Sequence, residues 1–535
     1  MKKQYVPSLL LLTTMLPVLA VTNESSDTDV TSRSYLAVQP HFHSSAPELV
    51  AGFRGDRSLK RENGWHGAMQ FTLFGSRSTH HDNLARYFFP FGKTSLVASA
   101  DYKAFKGLDA SDTDLLATNF NVFTVGDEVP NTLGFKSRIT IQPRQTVIGF
   151  GMHYRQSLWQ NEEKGRGLYL DIIMPITHVK NELQLQEVIL NTENDNTPNT
   201  AKITGVGESP VGSMKDAFKQ KGFKYGKMDD SADAMKRTGL ADMEVKLGYE
   251  WLQQEPCHLE SYVGLILPTG NAPTGEYLFE AVVGSGKHVG ITFGSNFGTQ
   301  IWKCETSERC LRVEHASHSQ YLFSKDHIRS FDLKNRPWSR YLSMYESEEQ
   351  AQTAATGNDA VLFTPGINLM TRQVEVTPGF SHNMNTAFVF ESKGLCIEAG
   401  YNFFARRAEH VELDKALPAT AALKHALGAG QTNPLRDISG TAQIETGSNV
   451  ISSIGLWPVP VQNYSQSVIT TDDIDLASAS TPCNIAHTMY GNVGYNWDEK
   501  EYPMGVQMGG SYTFSNSNNS VVDRWALWGK FSISI

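Results

Sequence analysis

The chain has 535 residues, a formal net charge of -9 and only 19% charged residues. Its mean hydropathy is -0.32. Beyond the first 20 residues there is no apolar run of the ~18 residues that a membrane-spanning helix needs. No basic block is present, which argues against a nucleic-acid partner. The length allows one large β-domain or two to three ordinary domains. Low mean hydropathy still permits membrane β-strands, which need apolar side chains only at alternate positions. The contents of Gly 44, Tyr 19, Phe 27 and Trp 9 suit such strands.

The chain opens on Met1, Lys2 and Lys3. An apolar stretch follows from Leu9 to Leu12 and on to Val18, Leu19 and Ala20, and then an abruptly polar run begins at Thr22 and Asn23. This pattern predicts a secretory signal peptide over 1–20 and hence export. Residues 21–63 are polar and aperiodic. They predict a periplasmic N-terminal segment, either a loose tail or a plug folded into the interior of the β-domain that occupies 64–535.

From residue 65 onward, period-two segments recur at 65–73, 115–124, 133–141, 147–155, 168–176, 239–251, 259–267, 289–297, 313–323, 374–390, 395–403, 485–497, 506–514 and 525–535. The clearest is 239–251. There Met243, Val245, Leu247, Tyr249 and Trp251 share one face, while Asp242, Glu244, Lys246 and Glu250 share the other. The last segment places Trp525, Leu527, Phe531, Ile533 and Ile535 on an apolar face and Lys530 on the opposite one. A chain that ends on an amphipathic strand fits a barrel, whose last strand pairs with its first to remove the sheet edge.

Connection lengths support the same reading. Short connections at 252–256, 303–310, 391–394 and 497–502 alternate with long ones near 191–238, 324–372 and 407–482. In bacterial barrels short turns face the periplasm and long loops face outward. The segment 143–145 is an exception, because it predicts a very short outer turn. The expected fold is all-β: a transmembrane antiparallel up-and-down β-barrel of about 14 strands, with 12 and 16 also compatible, and long extracellular loops.

This alternation assigns faces. Asp242, Glu244, Lys246, Glu260, Arg312, Glu375, Glu398 and Lys530 are expected to face the lumen, as are Arg406 and Arg524. Lining of both signs either selects solutes by charge and size or pairs internally and closes the interior. Tyr249, Trp251, Trp525, Phe531, Ile533 and Ile535 are expected to face lipid or form an aromatic girdle.

Five cysteines are too few for a disulfide framework. Cys304 and Cys310 bracket a short turn and are the expected disulfide in an oxidising compartment. The pairs His41/His43, His80/His81 and His315/His318 lack the third ligand and shared face of a metal site, so neither a metal nor a cofactor is expected. No Gly-x-Ser-x-Gly elbow is present, and no catalytic residue is assigned. A serine and a histidine in hydrogen-bond reach on the outer wall would be the mark of a hydrolase.

Gly239-Leu240-Ala241-Asp242 runs into Lys246-Leu247-Gly248-Tyr249, and Leu267-Pro268-Thr269-Gly270 follows one strand later. These strings resemble outer-membrane channel families: the transport proteins labelled for phenol-degradation pathways, related in style to the long-chain fatty acid transporters. The resemblance covers roughly thirty residues and implies a barrel for small, apolar solutes. It transfers no binding residue, and the terminal Ile535 departs from the more usual Phe.

Together these observations predict a bacterial outer-membrane pore for passive uptake of small solutes, as a monomer or a trimer. Its expected partners are outer-membrane lipid and the barrel-assembly machinery. A structural or adhesive surface barrel acting through its long loops is the alternative, and an outer-membrane hydrolase is the third.

Overall fold

The computed structural model describes residues 32–41, 43–52, 66–99, 114–122, 135–191, 211–304, 306–334, 337–347, 349–350, 364–413, 415, 422–423, 469–497, 501–515 and 520–535. The expected signal peptide lies outside these residues.

Twelve antiparallel strands form the wall. They are β1 (Gly67–Ser78), β2 (Arg144–Asn161), β3 (Arg166–Glu182), β4 (Met243–Gln254), β5 (Cys257–Leu267) and β6 (Gly290–Cys304). The second half comprises β7 (Arg309–Leu322), β8 (Ser381–Ser392), β9 (Leu395–Arg406), β10 (Asn484–Trp497), β11 (Met504–Phe514) and β12 (Arg524–Ser534). Each strand pairs with its neighbours in sequence, and β12 pairs with β1 from Ala68↔Ser534 to Ser78↔Arg524, which closes the ring. A further short strand, Lys236–Leu240, continues the line of β4 along β3.

Burial alternates along the wall as the period-two pattern requires. In β12, Ala526, Trp528 and Lys530 are buried inward, while Trp525, Leu527 and Phe531 are exposed outward. Where an aromatic ring lies inside the wall, the adjacent strand supplies a glycine. A Cβ at Gly248 would lie 2.0 Å from Tyr169, and one at Gly400 would lie 2.2 Å from Tyr490. Only glycine admits so close an approach.

All the short turns lie at one end of the barrel, between β2 and β3, β4 and β5, β6 and β7, β8 and β9, and β10 and β11. One two-residue turn is Lys393–Gly394, with φ of 47° and 83°. Two consecutive residues of positive φ match the right-handed twist of a two-residue hairpin. The other connections gather at the opposite end. They build small sheets there, among them the three-stranded one of Lys325–Ser330, Thr371–Thr377 and His410–Leu413. They also build apolar cores, one of which holds Phe88, Phe120, Phe218, Trp338 and Tyr341. The described parts of the long loops thus fold together as a cap.

That cap accounts for three departures from the sequence reading. The wall has 12 strands, the lowest of the expected counts, rather than the favoured 14. In the described part of the segment 115–124, residues 115–122, the strand Leu115–Leu116 is followed by the 3-10 turn Ala117–Phe120. The segment 133–141 supplies Lys136–Thr140 to a four-stranded cap sheet. Both carry apolar residues at alternate positions because they bury Leu115, Phe120 and Ile139 in the cap core. Period two reports a half-buried strand and is silent on what covers it. The apparent short outer turn at 143–145 is where this cap strand passes into β2.

The segment 374–390 is two strands, Thr371–Thr377 in the cap and β8 in the wall. Glu375 is therefore exposed on the cap sheet and does not line the lumen. The expected disulfide between Cys304 and Cys310 is not formed, and the Cys310 thiol donates to Glu391 Oε2 at 3.3 Å. Cys304 lies opposite Arg309 and Cys310 opposite Lys303, so their side chains leave opposite faces of the β6–β7 hairpin.

Candidate channel lumen

The inner face of the ring is rich in polar residues, set among an apolar cluster that holds Phe74, Val147, Ile173, Val389 and Trp528. Gln70, Thr72, Arg155, Asp171, Glu260, Asn383, Asn402, Asn492 and Gln507 are all buried there. Of the residues expected in the lumen, Glu244, Lys246, Glu260, Arg312, Glu398 and Lys530 point inward and are buried. Asp242 sits in the break between Lys236–Leu240 and β4, half-buried, where its Oδ2 accepts from the Ser285 backbone N–H at 2.6 Å.

Several of the charges are paired with one another. Arg155 on β2 makes two two-pronged contacts. Its Nε and Nη2 donate to Asp171 at 2.9 and 3.2 Å, and its Nη1 and Nη2 donate to Glu260 at 3.0 Å each. Lys246 adds a second cation 3.3 Å from Asp171, and the guanidinium of Arg155 lies 3.9 Å above the Tyr169 ring. Arg312 reaches Glu314 at 3.0 Å, with His258 3.3 Å from the same carboxylate. Fork-to-fork pairing satisfies several donors at once and offsets desolvation of the buried charges.

Through this lumen runs the N-terminal segment. Arg33 hydrogen-bonds the Ala477 carbonyl in the cap, and Arg406 Nη2 donates to Ala37 O at 2.6 Å near the loop end of β9. Lower down, Arg524 Nη1 donates to His41 Nε2 at 2.8 Å, and Asn383 Nδ2 to His43 Nε2 at 3.1 Å. Ser44 hydrogen-bonds Glu244, and Asn402 Nδ2 donates to Ser45 O at 3.1 Å. The short helix Pro47–Val50 follows. Lys530 Nζ donates to Leu49 O at 3.0 Å and also reaches Ala51 O, and the Gly52 backbone N–H donates to Glu398 Oε2 at 2.8 Å. The segment therefore descends from the cap toward the short-turn end, and β1, β4, β8, β9 and β12 all contribute to this hydrogen bonding through Gln70, Glu244, Asn383, Asn402 and Lys530. A small chamber remains beside it, lined by Ser44, Arg155, Asp171, Lys246, Glu260 and Asn296.

The outer face is apolar. Leu73, Ile148, Leu247, Val263, Phe388, Met489, Met508 and Leu527 are exposed there. Exposed aromatic residues collect toward both ends: Trp159, Trp251, Trp302, Tyr495 and Trp497 by the short turns, and Tyr321, Tyr401, Tyr512 and Trp525 toward the loops. Trp251, Trp525, Phe531 and Ile535 are exposed outward, and Tyr249 and Ile533 are half-exposed.

Ser319 and His382 also lie on this outer face, with Oγ 2.7 Å from Nδ1. Both are buried, and among the described residues His382 Nε2 has no hydrogen-bond partner. The pair thus lacks the third group that would fix the imidazole as a base.

No protein-family model matches the chain, and no curated protein matches it in sequence. Among solved structures it is similar to an outer membrane channel from Pseudomonas putida F1, with 8% identity, 88% of this chain and 96% of that one covered, and a TM-score of 0.35. It is also similar to a Pseudomonas aeruginosa FadL homologue, with 7% identity, coverage of 88% and 89%, and a TM-score of 0.28. A third is the transport unit of the autotransporter AIDA-I from Escherichia coli, with 7% identity, coverage of 89% and 90%, and a TM-score of 0.29. What makes this chain a barrel is its own pairing of first strand with last.

Sequence reasoning missed Arg155 and Asp171. The signal was present: Arg155 shares a face with His153, and Asp171 shares one with Tyr169 and Ile173. The contacts of Ser44, Ser45 and Gly52 had no signal in the polar, aperiodic N-terminal segment.

Proposed function

We propose that the chain is a channel of the bacterial outer membrane for passive uptake of small polar solutes, with its lumen closed in this conformation by its own N-terminal segment. The observation that carries the reading is the contrast across the wall, with buried charges and amides among its inner residues and an exposed apolar outer face, in a ring without a free edge. A soluble β-domain places its apolar face in the core. The eleven residues of β12, at ~3.3 Å rise and a tilt of about 40°, cross roughly 28 Å, the height of a hydrocarbon layer. Aromatic residues toward both ends suit the two interfaces.

The lining supports a polar solute over the apolar one that the family resemblance implies. Arg155, Asp171, Lys246 and Glu260 border the chamber beside the N-terminal segment, and desolvating them against hydrocarbon would be costly. Passage requires residues 43–52 to move, because they bond to opposite sides of the wall at Glu244, Asn402 and Lys530.

Planar-bilayer conductance tests the reading. The full chain should show small or rare openings, and a variant lacking residues 36–52 should show a large steady conductance. A silent bilayer with both proteins inserted would sink the channel reading. It would favour the surface-binding barrel, for which the folded cap with its own apolar cores is the supporting feature.

A further inference from the structure

The outer face of the barrel changes character abruptly at the loop end of β1, β2, β3 and the short strand Lys236–Leu240. Strand register arranges its outward residues in transverse rows. Leu73, Phe150, Ile176 and Leu240 are successive cross-strand partners, and the first three are 65%, 38% and 48% exposed. One row nearer the loops come Gly75, Ile148, His178 and Thr238, with His178 Nδ1 2.7 Å from Thr238 Oγ1. The next row is Arg77, Thr146, Lys180 and Lys236. Beyond it on β2 stands Arg144, opposite Glu182.

Four cations therefore meet one carboxylate, Glu182, which lies 2.7 Å from Lys180. Among the described residues Arg77 and Lys236 have no carboxylate partner, and Arg144 Nε has no hydrogen-bond partner. The continuation of the Arg77 row on the other side reads Trp525, Tyr512, Met489 and Tyr401, with no charge at all. Along this row, from Lys236 round to Tyr401, the cations are gathered in one sector about 14 Å wide from strand spacing. Directly beneath them lies the exposed apolar face.

We propose that this sector binds a glycolipid of the outer leaflet that carries phosphate groups on its sugar headgroup. The phosphates engage Arg77, Arg144, Lys180 and Lys236, and the acyl chains lie along Leu73, Ile148, Phe150 and Ile176. Guanidinium groups match phosphate oxygens in two-pronged geometry. Cations placed where a wall passes from lipid to water extend toward the headgroup layer. The site rests on the membrane reading given above.

The test uses the full chain, refolded in detergent, and a triple variant Arg77→Gln, Lys180→Gln, Lys236→Gln. Each is incubated with diphosphoryl lipid A, phosphatidylcholine or inorganic phosphate, exchanged into fresh detergent and examined by native mass spectrometry. The parent should retain diphosphoryl lipid A at least tenfold more than phosphatidylcholine or inorganic phosphate, and the variant should lose that preference. Equal retention by parent and variant, or equal retention of phosphatidylcholine, overturns the site. Both proteins should insert into phosphatidylcholine vesicles and show heat-modifiable migration. If the parent fails to insert, the membrane reading and this site fall together, whereas insertion without a lipid preference removes the site alone.

Discussion

Gly52 and Glu398 join the N-terminal segment to the barrel wall: the Gly52 backbone N–H donates to Glu398 Oε2 at 2.8 Å, with Gly52 in the left-handed region at φ +72°. A Cβ there would lie 2.6 Å from Asn492 Nδ2 and 2.7 Å from the Gln507 side chain. A β-branched residue at φ above zero costs about 1–3 kcal/mol before any clash is counted. Gly52→Val should therefore loosen this end of the segment. Single-channel recording should show more frequent openings than in the parent, and unchanged gating would mean that this anchor does not hold the lumen closed.

Arg155 is the centre of the luminal charge network, and its removal leaves Asp171 and Glu260 buried with fewer donors. Breaking such a pair from one side costs about 3–5 kcal/mol. Arg155→Met should lower stability by that order in urea unfolding followed by tryptophan fluorescence. The triple change with Asp171→Asn and Glu260→Gln should recover part of the loss, since neutral partners are cheaper to leave buried. No recovery would argue against a charge-based penalty.

The lipid-facing assignment predicts a gradient with depth. Leu73→Arg, at an exposed position of β1 opposite Gly529 of β12 and deeper in the apolar band, should cost about 2–4 kcal/mol, whereas Trp525→Arg, next to Arg77 at the rim, should cost about 0–1 kcal/mol. Reversible unfolding from phosphatidylcholine vesicles gives both values. Equal costs would contradict a bilayer around β1 and β12.

Trp338 anchors the cap. It is fully buried, its ring packs on Phe89 and Tyr341 at 5.3 and 5.1 Å, and its Nε1 donates to Phe88 O at 2.8 Å. Trp338→Ala should destabilise the cap by about 3–5 kcal/mol. Limited proteolysis should then cut the loops while the barrel keeps its heat-modifiable migration. Loss of both would mean that the cap and wall fold as one unit.

His327 makes the cap sensitive to acid. Its Nε2 lies 2.7 Å from Gly286 O and its Nδ1 3.1 Å from Arg329 Nη2. Burial, followed by the Arg329 charge, lowers its pKa to about 3. The unfolded imidazole takes up its proton near pH 6.5, so the folded cap loses stability as pH falls from there toward 3. Each unit of separation is worth about 1.4 kcal/mol. Hydrogen exchange in Lys325–Ser330 should speed up between pH 6.5 and 4.5 beyond the intrinsic trend, and His327→Gln should flatten that excess.

The amino-acid sequence by itself determined the strand character and facing of the wall. In β4 the order Glu244, Lys246 against Leu247, Trp251 fixes which side is polar, because successive side chains must leave opposite faces. The alternation of short and long connections likewise follows from an antiparallel meander and was readable without coordinates. Only the tertiary structure decided which period-two segments join the ring. The strands Lys136–Thr140 and Thr371–Thr377 alternate as the wall strands do, yet pair within the cap, and this removes Glu375 from the lumen. It alone also brought Arg155 to Asp171 and Glu260 across neighbouring and distant strands, and placed Ser44, Ser45 and Gly52 against Glu244, Asn402 and Glu398. Local pattern encodes the direction of a side chain. What that side chain meets is set by register and ring closure, which depend on the whole chain at once.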